Sequence, residues 1–179
     1  MDYAFPREMT GAEIKAARRR MNLTQRELAE LAGCSVKTVE RWERSKKPVS
    51  GPIVPLLTIL REEPQTEEYW RIPPRKYPLR MRYLRGNILC TVIDVDEQNE
   101  RIQIWNFTRD VISRAFGRNE NPTYQEYTEF LESRCFPRQR DKMKLMLREL
   151  NLPFYDPLLI IRKTKGRMAE DEYWIAIEE

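Results

Sequence analysis

The chain has 179 residues, of which 41% are hydrophobic and 34% charged, and it carries a net charge of +4. That length allows one domain or two small ones with modest cores. No apolar run approaches the ~20 residues of a membrane helix, and the N-terminus lacks the basic-then-apolar order of a secretory signal, so a cytoplasmic protein is expected.

Histidine is absent, which removes His-based triads, His-based acid–base chemistry and the common zinc sites. Cys34, Cys90 and Cys135 are scattered without a CxxC spacing and read as free thiols. Positive charge is unevenly placed. Residues 1–78 hold 15 Lys/Arg against 11 Asp/Glu, whereas residues 79–179 hold 17 of each. Between residues 15 and 47 there are 10 basic and 4 acidic residues, a patch that attracts phosphates at any sequence.

In chain order, residues 1–9 read as an irregular arm. Thr10 with Glu13 three residues on is a capping box that starts a first helix. Ile14 and Ala17 face inward there, and Arg18, Arg19 and Arg20 face solvent. Residues 23–46, LTQRELAELAGCSVKTVERWERSK, read as two short helices joined by a tight turn. Thr24 and Glu27 form a second capping box. Leu28, Ala29, Leu31 and Ala32 supply an apolar face, and Gly33 can stop the helix in a left-handed conformation. Ser35 is a good N-cap for the next helix. On that helix Val39 and Trp42 form an anchor face, while Lys37 and Arg41, four apart, face outward. A major groove admits one such helix, and its base edges accept hydrogen bonds from Lys and Arg. The bland alternative is a solvated basic helix, but core packing does not require Lys37 and Arg41 on that face.

This stretch resembles the Cro/C1 repressor-type (XRE) helix-turn-helix, through Leu23-Thr24-Gln25, Glu27-Leu28-Ala29, Gly33, Ser35, Thr38-Val39 and Trp42-Glu43. The resemblance covers about the first third of the chain. It implies a sequence-specific double-stranded-DNA-binding regulator, a repressor acting as a homodimer. It also implies that Gln25 binds a phosphate, that Ser35, Val36, Lys37 and Arg41 read bases, and that Thr38, Arg44 and Lys46 meet the backbone. Val36 has no hydrogen-bonding group, so its natural base contact is a thymine methyl. Ser45 stands where the family often has glycine, which leaves the path of the next loop open.

Residues 45–51 read as a loop broken by Pro48 and Gly51. Ser50 can cap a fourth helix over residues 52–62, with Ile53, Leu56, Leu57 and Leu60 on one face. Residues 66–70 read as one more turn, with Tyr69 and Trp70 packed on the bundle edge. Three prolines within residues 72–78 mark an extended linker. The expected organisation is thus a DNA-binding domain over 1–71, a Pro-rich linker over 72–78 and a second domain over 79–179.

The pattern then changes period. Residues 79–83, 88–95 and 101–107 alternate or run apolar, which predicts a three-stranded antiparallel meander. Thr108 can cap a segment ending at 116–117. Thr123 with Glu126 is a third capping box. Residues 138–150 read as a basic amphipathic helix, Asp156-Pro157 starts a last helix stopped by Gly166, and residues 173–177 suggest a terminal or edge strand. The expected class is α+β: an all-α bundle of four or five helices, then an α+β domain of meander and helices that dimerises, binds a partner protein or senses a ligand.

Candidate chemistry in the second half is thin. Glu170-Asp171-Glu172 could hold a metal or a basic partner, but a solvated turn is the commoner use of such a run. Asp94 and Asp96 could be paired carboxylates, against a plain hairpin turn. Arg138, Arg140, Lys142 and Lys144 could bind phosphate, against the wet side of a helix. No P-loop, dinucleotide loop or nucleophile motif is present, so neither enzyme nor cofactor is expected. The second half also resembles a family of small Firmicutes proteins, in Arg134-Cys135-Phe136-Pro137-Arg138, Asp141-Lys142-Met143-Lys144-Leu145, Leu152-Pro153-Phe154-Tyr155-Asp156-Pro157 and Gly166-Arg167-Met168-Ala169-Glu170-Asp171. That resemblance implies a neighbouring HipA-like kinase as partner, and an antitoxin-type protein that autoregulates its operon as the alternative function.

Overall fold

A computed structural model describes residues 4–63, 65–139 and 143–178. The chain divides into two compact units, Met1–Arg71 and Ile72–Glu179. No described helix is long and apolar enough to cross a membrane.

The first unit is a helical bundle: α1 Gly11–Arg20, α2 Gln25–Leu31, α3 Val36–Arg44, α4 Ile53–Glu62 and α5 Gln65–Trp70. Both expected capping boxes are formed, at Thr10/Glu13 and Thr24/Glu27. Ile14, Leu28, Val39 and Leu57 are fully buried at the centre, and Trp42 packs partly buried against them. Gly11 has a role that the sequence does not announce. A Cβ there would lie 2.5 Å from the Trp42 carbonyl and 2.8 Å from that of Glu43, so α1 meets α3 backbone to backbone.

Three expectations for this unit need correction. The N-terminal arm is not all irregular: β1 Glu8–Met9 pairs antiparallel with β2 Val49–Ser50, and Met9 is buried. Ser50 therefore lies in a strand, and α4 starts behind Pro52 without a side-chain cap. Tyr69 and Trp70 are 40% and 53% exposed, and their rings meet edge-on at 5.0 Å instead of packing inward. The ties seen at this end are ionic: Arg71 reaches Glu67 at 2.7 Å and Glu27 at 3.2 Å.

The second unit is a four-stranded antiparallel sheet with helices on one face. Its strands are β3 Leu79–Arg85, β4 Ile88–Asp96, β5 Arg101–Asn106 and β6 Tyr173–Glu178, in the order β5-β4-β3-β6. The expected meander is present, and the terminal strand extends it by pairing with β3, with Met81 opposite Ile177. Met81, Tyr83, Ile93, Val95, Ile104 and Ile175 face a core shared with α6 Tyr124–Ser133, α7 Met143–Glu149 and α8 Pro157–Thr164. The capping box at Thr123/Glu126 and the Asp156-Pro157 start of α8 are both formed. The segment after Thr108 makes only a 3-10 turn, Val111–Ser113. There the Asp110 carboxylate accepts from the Ile112 N–H at 3.1 Å and the Ser113 hydroxyl at 2.6 Å, a local arrangement that competes with helix.

The opposite face of the sheet carries a buried ion pair. Arg80 grips Asp94 through Nε at 2.6 Å and Nη2 at 2.8 Å. Asp94 also accepts from the Lys76 N–H at 2.6 Å, and Arg80 Nη1 donates to the Pro73 carbonyl at 2.8 Å. The proline-rich segment is thereby tied to the sheet. Asp94 and Asp96 do not act as a carboxylate pair: Asp96 instead closes the hairpin by accepting from Asn99. Nor is Asp171 free for a metal. Buried Arg134 holds it at 2.6 and 3.0 Å while donating to the Gly166 and Tyr173 carbonyls. Arg138 is spent on Glu132 at 2.6 Å and on the Tyr155 ring, Lys144 is exposed, and Arg140 and Lys142 lie outside the described residues; the helix expected from residue 138 does not start there, since residues 138 and 139 form a turn.

Two substitutions test these close approaches. Gly11→Ala should lower the thermal stability of the first unit: overpacking costs about 1–3 kcal/mol, against at most ~1 kcal/mol gained in helix propensity. Amide exchange of α1 and α3 is the readout. Asp94→Ala should destabilise the second unit by about 3–5 kcal/mol, because it strands the Arg80 charge in the sheet. A denaturant titration followed by Trp105 and Trp174 fluorescence measures it.

Candidate nucleic-acid interface

The two helices of the motif are set by local chemistry at their ends. Thr24 N–H donates to Glu27 at 2.7 Å, and Glu27 N–H returns the bond to the Thr24 hydroxyl at 3.1 Å. These bonds from Thr24, with Arg71 nearby, hold the Glu27 carboxyl below its ordinary range. After α2 the chain turns at Gly33, whose φ of +62° lies in the left-handed region that glycine enters without a Cβ clash. Open space surrounds it, so backbone conformation and not packing accounts for this glycine. Ser35 then caps α3: its hydroxyl accepts from the Thr38 N–H at 3.2 Å and meets the Thr38 hydroxyl at 2.9 Å.

The attitude of α3 is fixed by a network around Glu43. Arg18 on α1 binds it through Nε at 2.6 Å and Nη2 at 3.2 Å, and its third nitrogen, Nη1, donates to the Leu23 carbonyl at 2.7 Å. Gln25 at the start of α2 donates to the same carboxylate at 2.9 Å. The Glu43 side chain is 4% exposed and that of Arg18 11%. Burial by itself would raise the Glu43 carboxyl, but the hydrogen bonds from Arg18 and Gln25 outweigh it and hold the group below its ordinary range. Three helices and the turn before α2 thus converge on one carboxylate.

With Val39 and Glu43 turned inward, the other side of α3 is left to solvent. Ser35, Val36, Lys37, Arg41 and Arg44 are exposed, and Thr38 and Glu40 are half-buried among them. Lys37, Arg41 and Arg44 form a stripe along the helix, and Lys46 follows in the next loop. None of these four cations makes an ion pair among the described residues, whereas Arg18, Arg26 and Arg71 of the same unit do. Ser45 needs no left-handed conformation. It leaves the helix extended, at φ −65° and ψ 130°, and its hydroxyl bridges the N–H and carbonyl of Lys47. The serine in the glycine position is therefore accommodated by a different exit.

Gln25 stands apart from the other candidates. Its side chain is half-buried and one amide hydrogen is committed to Glu43, leaving the second hydrogen and the carbonyl for another partner. Sequence reasoning assigned no partner to Arg18 or Glu43. One signal was available: Glu43 lies four residues after Val39, on the core-facing side, where a charge must be matched by another.

A family model described as helix-turn-helix matches residues 14–57. The match runs from within α1 to the middle of α4, about a quarter of the chain, and stops before the second unit. No curated protein matches the chain, and no solved structure does. Residues 14–57 of the first unit are therefore a Cro/C1-type helix-turn-helix, the DNA-binding element of regulators of that type.

The Glu43 network has a pH signature. A carboxyl held low in the folded chain contributes its full stabilisation above the unfolded value of about 4.3 and loses it as pH falls through the lower folded value. Glu43→Gln should cost the first unit about 1.5–3 kcal/mol at pH 7 and flatten its acid destabilisation between about pH 5 and pH 3. Melting temperatures of the two proteins across that range provide the comparison.

Proposed function

We propose that the protein is a cytoplasmic transcriptional repressor that reads the major groove with α3. The observation that carries this reading is the stripe of Lys37, Arg41 and Arg44, exposed and without ion-pair partners among the described residues, on a helix whose opposite side is anchored by Val39 and Glu43. Unpaired cations on a held helix are ready for phosphates and base edges, and no core interaction is given up when they bind. In this reading Lys37 and Arg41 donate to base edges, Val36 meets a thymine methyl, and the Ser35 hydroxyl contacts a base beside it. Arg44, Lys46, Thr38 and the remaining amide hydrogen of Gln25 meet the phosphates.

One such helix reads few base pairs, so two copies are proposed to act together on a two-fold symmetric operator. The second unit, near charge balance with 19 Lys/Arg against 17 Asp/Glu, is the proposed site of self-association or partner binding. Its buried Arg80 and Asp94 are engaged with each other and its buried Arg134 with Asp171, which supports a non-enzymatic role.

Selection of bound sites from random DNA with the full chain tests the assignment. It should return half-sites whose centres are about 34–36 Å, or a multiple, apart. Lys37→Ala and Arg41→Ala should each cost about 1–3 kcal/mol of specific binding and relax base choice at one position. Arg44→Ala and Thr38→Ala should weaken specific and non-specific sites alike. A footprint unchanged when both Lys37 and Arg41 are replaced would refute α3 as the reading helix.

A further inference from the structure

The terminal strand β6 is an outer strand of its sheet, paired on one side with β3. Its other edge is only partly occupied. The Ile175 N–H donates to the Lys165 carbonyl at 2.8 Å, and the Tyr173 carbonyl accepts from Arg134 at 3.0 Å. Backbone groups alternate sides along a strand, so those of Ile177 point the same way as those of Ile175, away from β3. The Ile175 carbonyl and both backbone groups of Ile177 have no partner across that edge among the described residues.

Beside this open stretch lies a groove of about 300 Å³. Its floor is apolar, from Ile161 on α8 and Ile175 and Ile177 on β6, and Lys165 and Trp174 stand at its mouth. The Lys165 ammonium lies 5.7 Å from the centre of the Trp174 ring and the Arg167 guanidinium 5.1 Å from it. Neither cation has a carboxylate partner among the described residues, and Arg162 lines the same groove.

We propose that this groove takes an extended acidic segment of a partner protein, added to β6 as a short outer strand. The unpaired backbone groups of Ile175 and Ile177 supply ladder bonds. In an extended segment one row of side chains would drop onto the apolar floor, and the alternate row would face Lys165 and Arg167. The charge pattern chooses the occupant. A second copy of this chain pairing edge to edge would set the same cations against each other. The Lys165–Ile175 bond would also limit that pairing to a ladder far smaller than the ~1,200 Å² of a stable interface. An acidic segment is attracted where a second copy is repelled; it meets the same short ladder but needs no dimer-sized interface, and it should bind in a salt-sensitive way. The site lies in the second unit and α3 in the first, so DNA binding is read separately from peptide binding, and amide exchange of β3 and β4 reports on the integrity of each variant's second unit.

A displayed library of random dodecapeptides, selected on the full-length protein, is the test. Enriched peptides should alternate aliphatic with acidic residues. A labelled enriched peptide should lose at least tenfold in affinity to Lys165→Glu combined with Arg167→Glu, while those variants keep the operator affinity of the parent. The Ile177 amide should gain protection from hydrogen exchange when that peptide binds, and N-methylation of alternate peptide backbone nitrogens should abolish binding. No enrichment, enrichment of neutral or basic peptides, or an Ile177 amide unchanged on binding would overturn the proposal. Concentration-dependent protection of Ile177 without peptide would overturn it in favour of self-pairing, and loss of Ile177 protection on adding duplex DNA would overturn it in favour of a phosphate site.

Discussion

The Glu43 carboxylate is the point on which the first unit turns. Arg18 brings α1 to it, Gln25 brings α2, and Glu43 itself lies on α3. A reading helix is useful only if its angle to the rest of the domain is fixed, because side chains that miss the base edges by an ångström form no bidentate bond. Apolar packing alone is tolerant of small rotations. A carboxylate shared by donors from two other helices is not, because each bond has a narrow range of distance and angle. Gly11 adds the steric half of the constraint, letting α1 approach the Trp42 and Glu43 carbonyls so closely that no side chain fits between. Attraction and exclusion thus act on the same turn of α3.

The second unit uses the same device for other ends. Arg80–Asp94 ties the proline-rich segment to one face of the sheet, and Arg134–Asp171 ties the loop before β6 to the end of α6. Both are bidentate pairs of a buried arginine, with Asp94 buried and Asp171 exposed, and each arginine also donates to backbone carbonyls. Leaving any of those donors unmet would carry the desolvation cost of a buried charge. Residues that looked chemically suggestive in the sequence, Asp94 and Asp171, are therefore accounted for by architecture. The Cys135 thiol follows suit: burial pushes it up to about 12, far from a reactive thiolate at neutral pH.

How much was legible in the sequence follows from the distance over which each interaction acts. The boxes at Thr10/Glu13, Thr24/Glu27 and Thr123/Glu126, and the caps at Ser35 and Asp156, depend on residues three apart, and all were readable. So was the outward face of α3, since Val39 fixes which side is in. The pairing of β6 with β3 was not, because a six-residue strand carries no local mark of its partner. The two-residue ribbon of β1 and β2 is too short to show a period at all. Tyr69 and Trp70 were misread because aromatic character predicts burial on average, while the ties seen at the end of their short helix come from Arg71. Gln25 shows the subtler limit. Its position in the motif is readable, but its bond to Glu43 depends on how α2 meets α3.

The contrast between satisfied and unsatisfied charge then becomes the most informative feature of the molecule. Arg18, Arg71, Arg80 and Arg134 sit in defined pairs, and their geometry is explained by folding alone. Lys37, Arg41, Arg44 and Lys46 on one unit, and Lys165 and Arg167 on the other, have no such partners among the described residues. Folding places these cations without an ion pair, Lys165 and Arg167 resting on the Trp174 ring. Scattered surface lysines would have the same status and mean little. Here each group is set against a held framework: a helix pinned at Glu43 in one unit, and an open strand edge beside Trp174 in the other. Unspent charge on a rigid support is what recognition of an anionic partner requires, because little ordering entropy then remains to be lost on binding. The supports also differ in kind. A single convex helix suits the concave major groove, and a strand edge with an apolar floor suits an extended chain, so the two cationic surfaces need not compete for one partner.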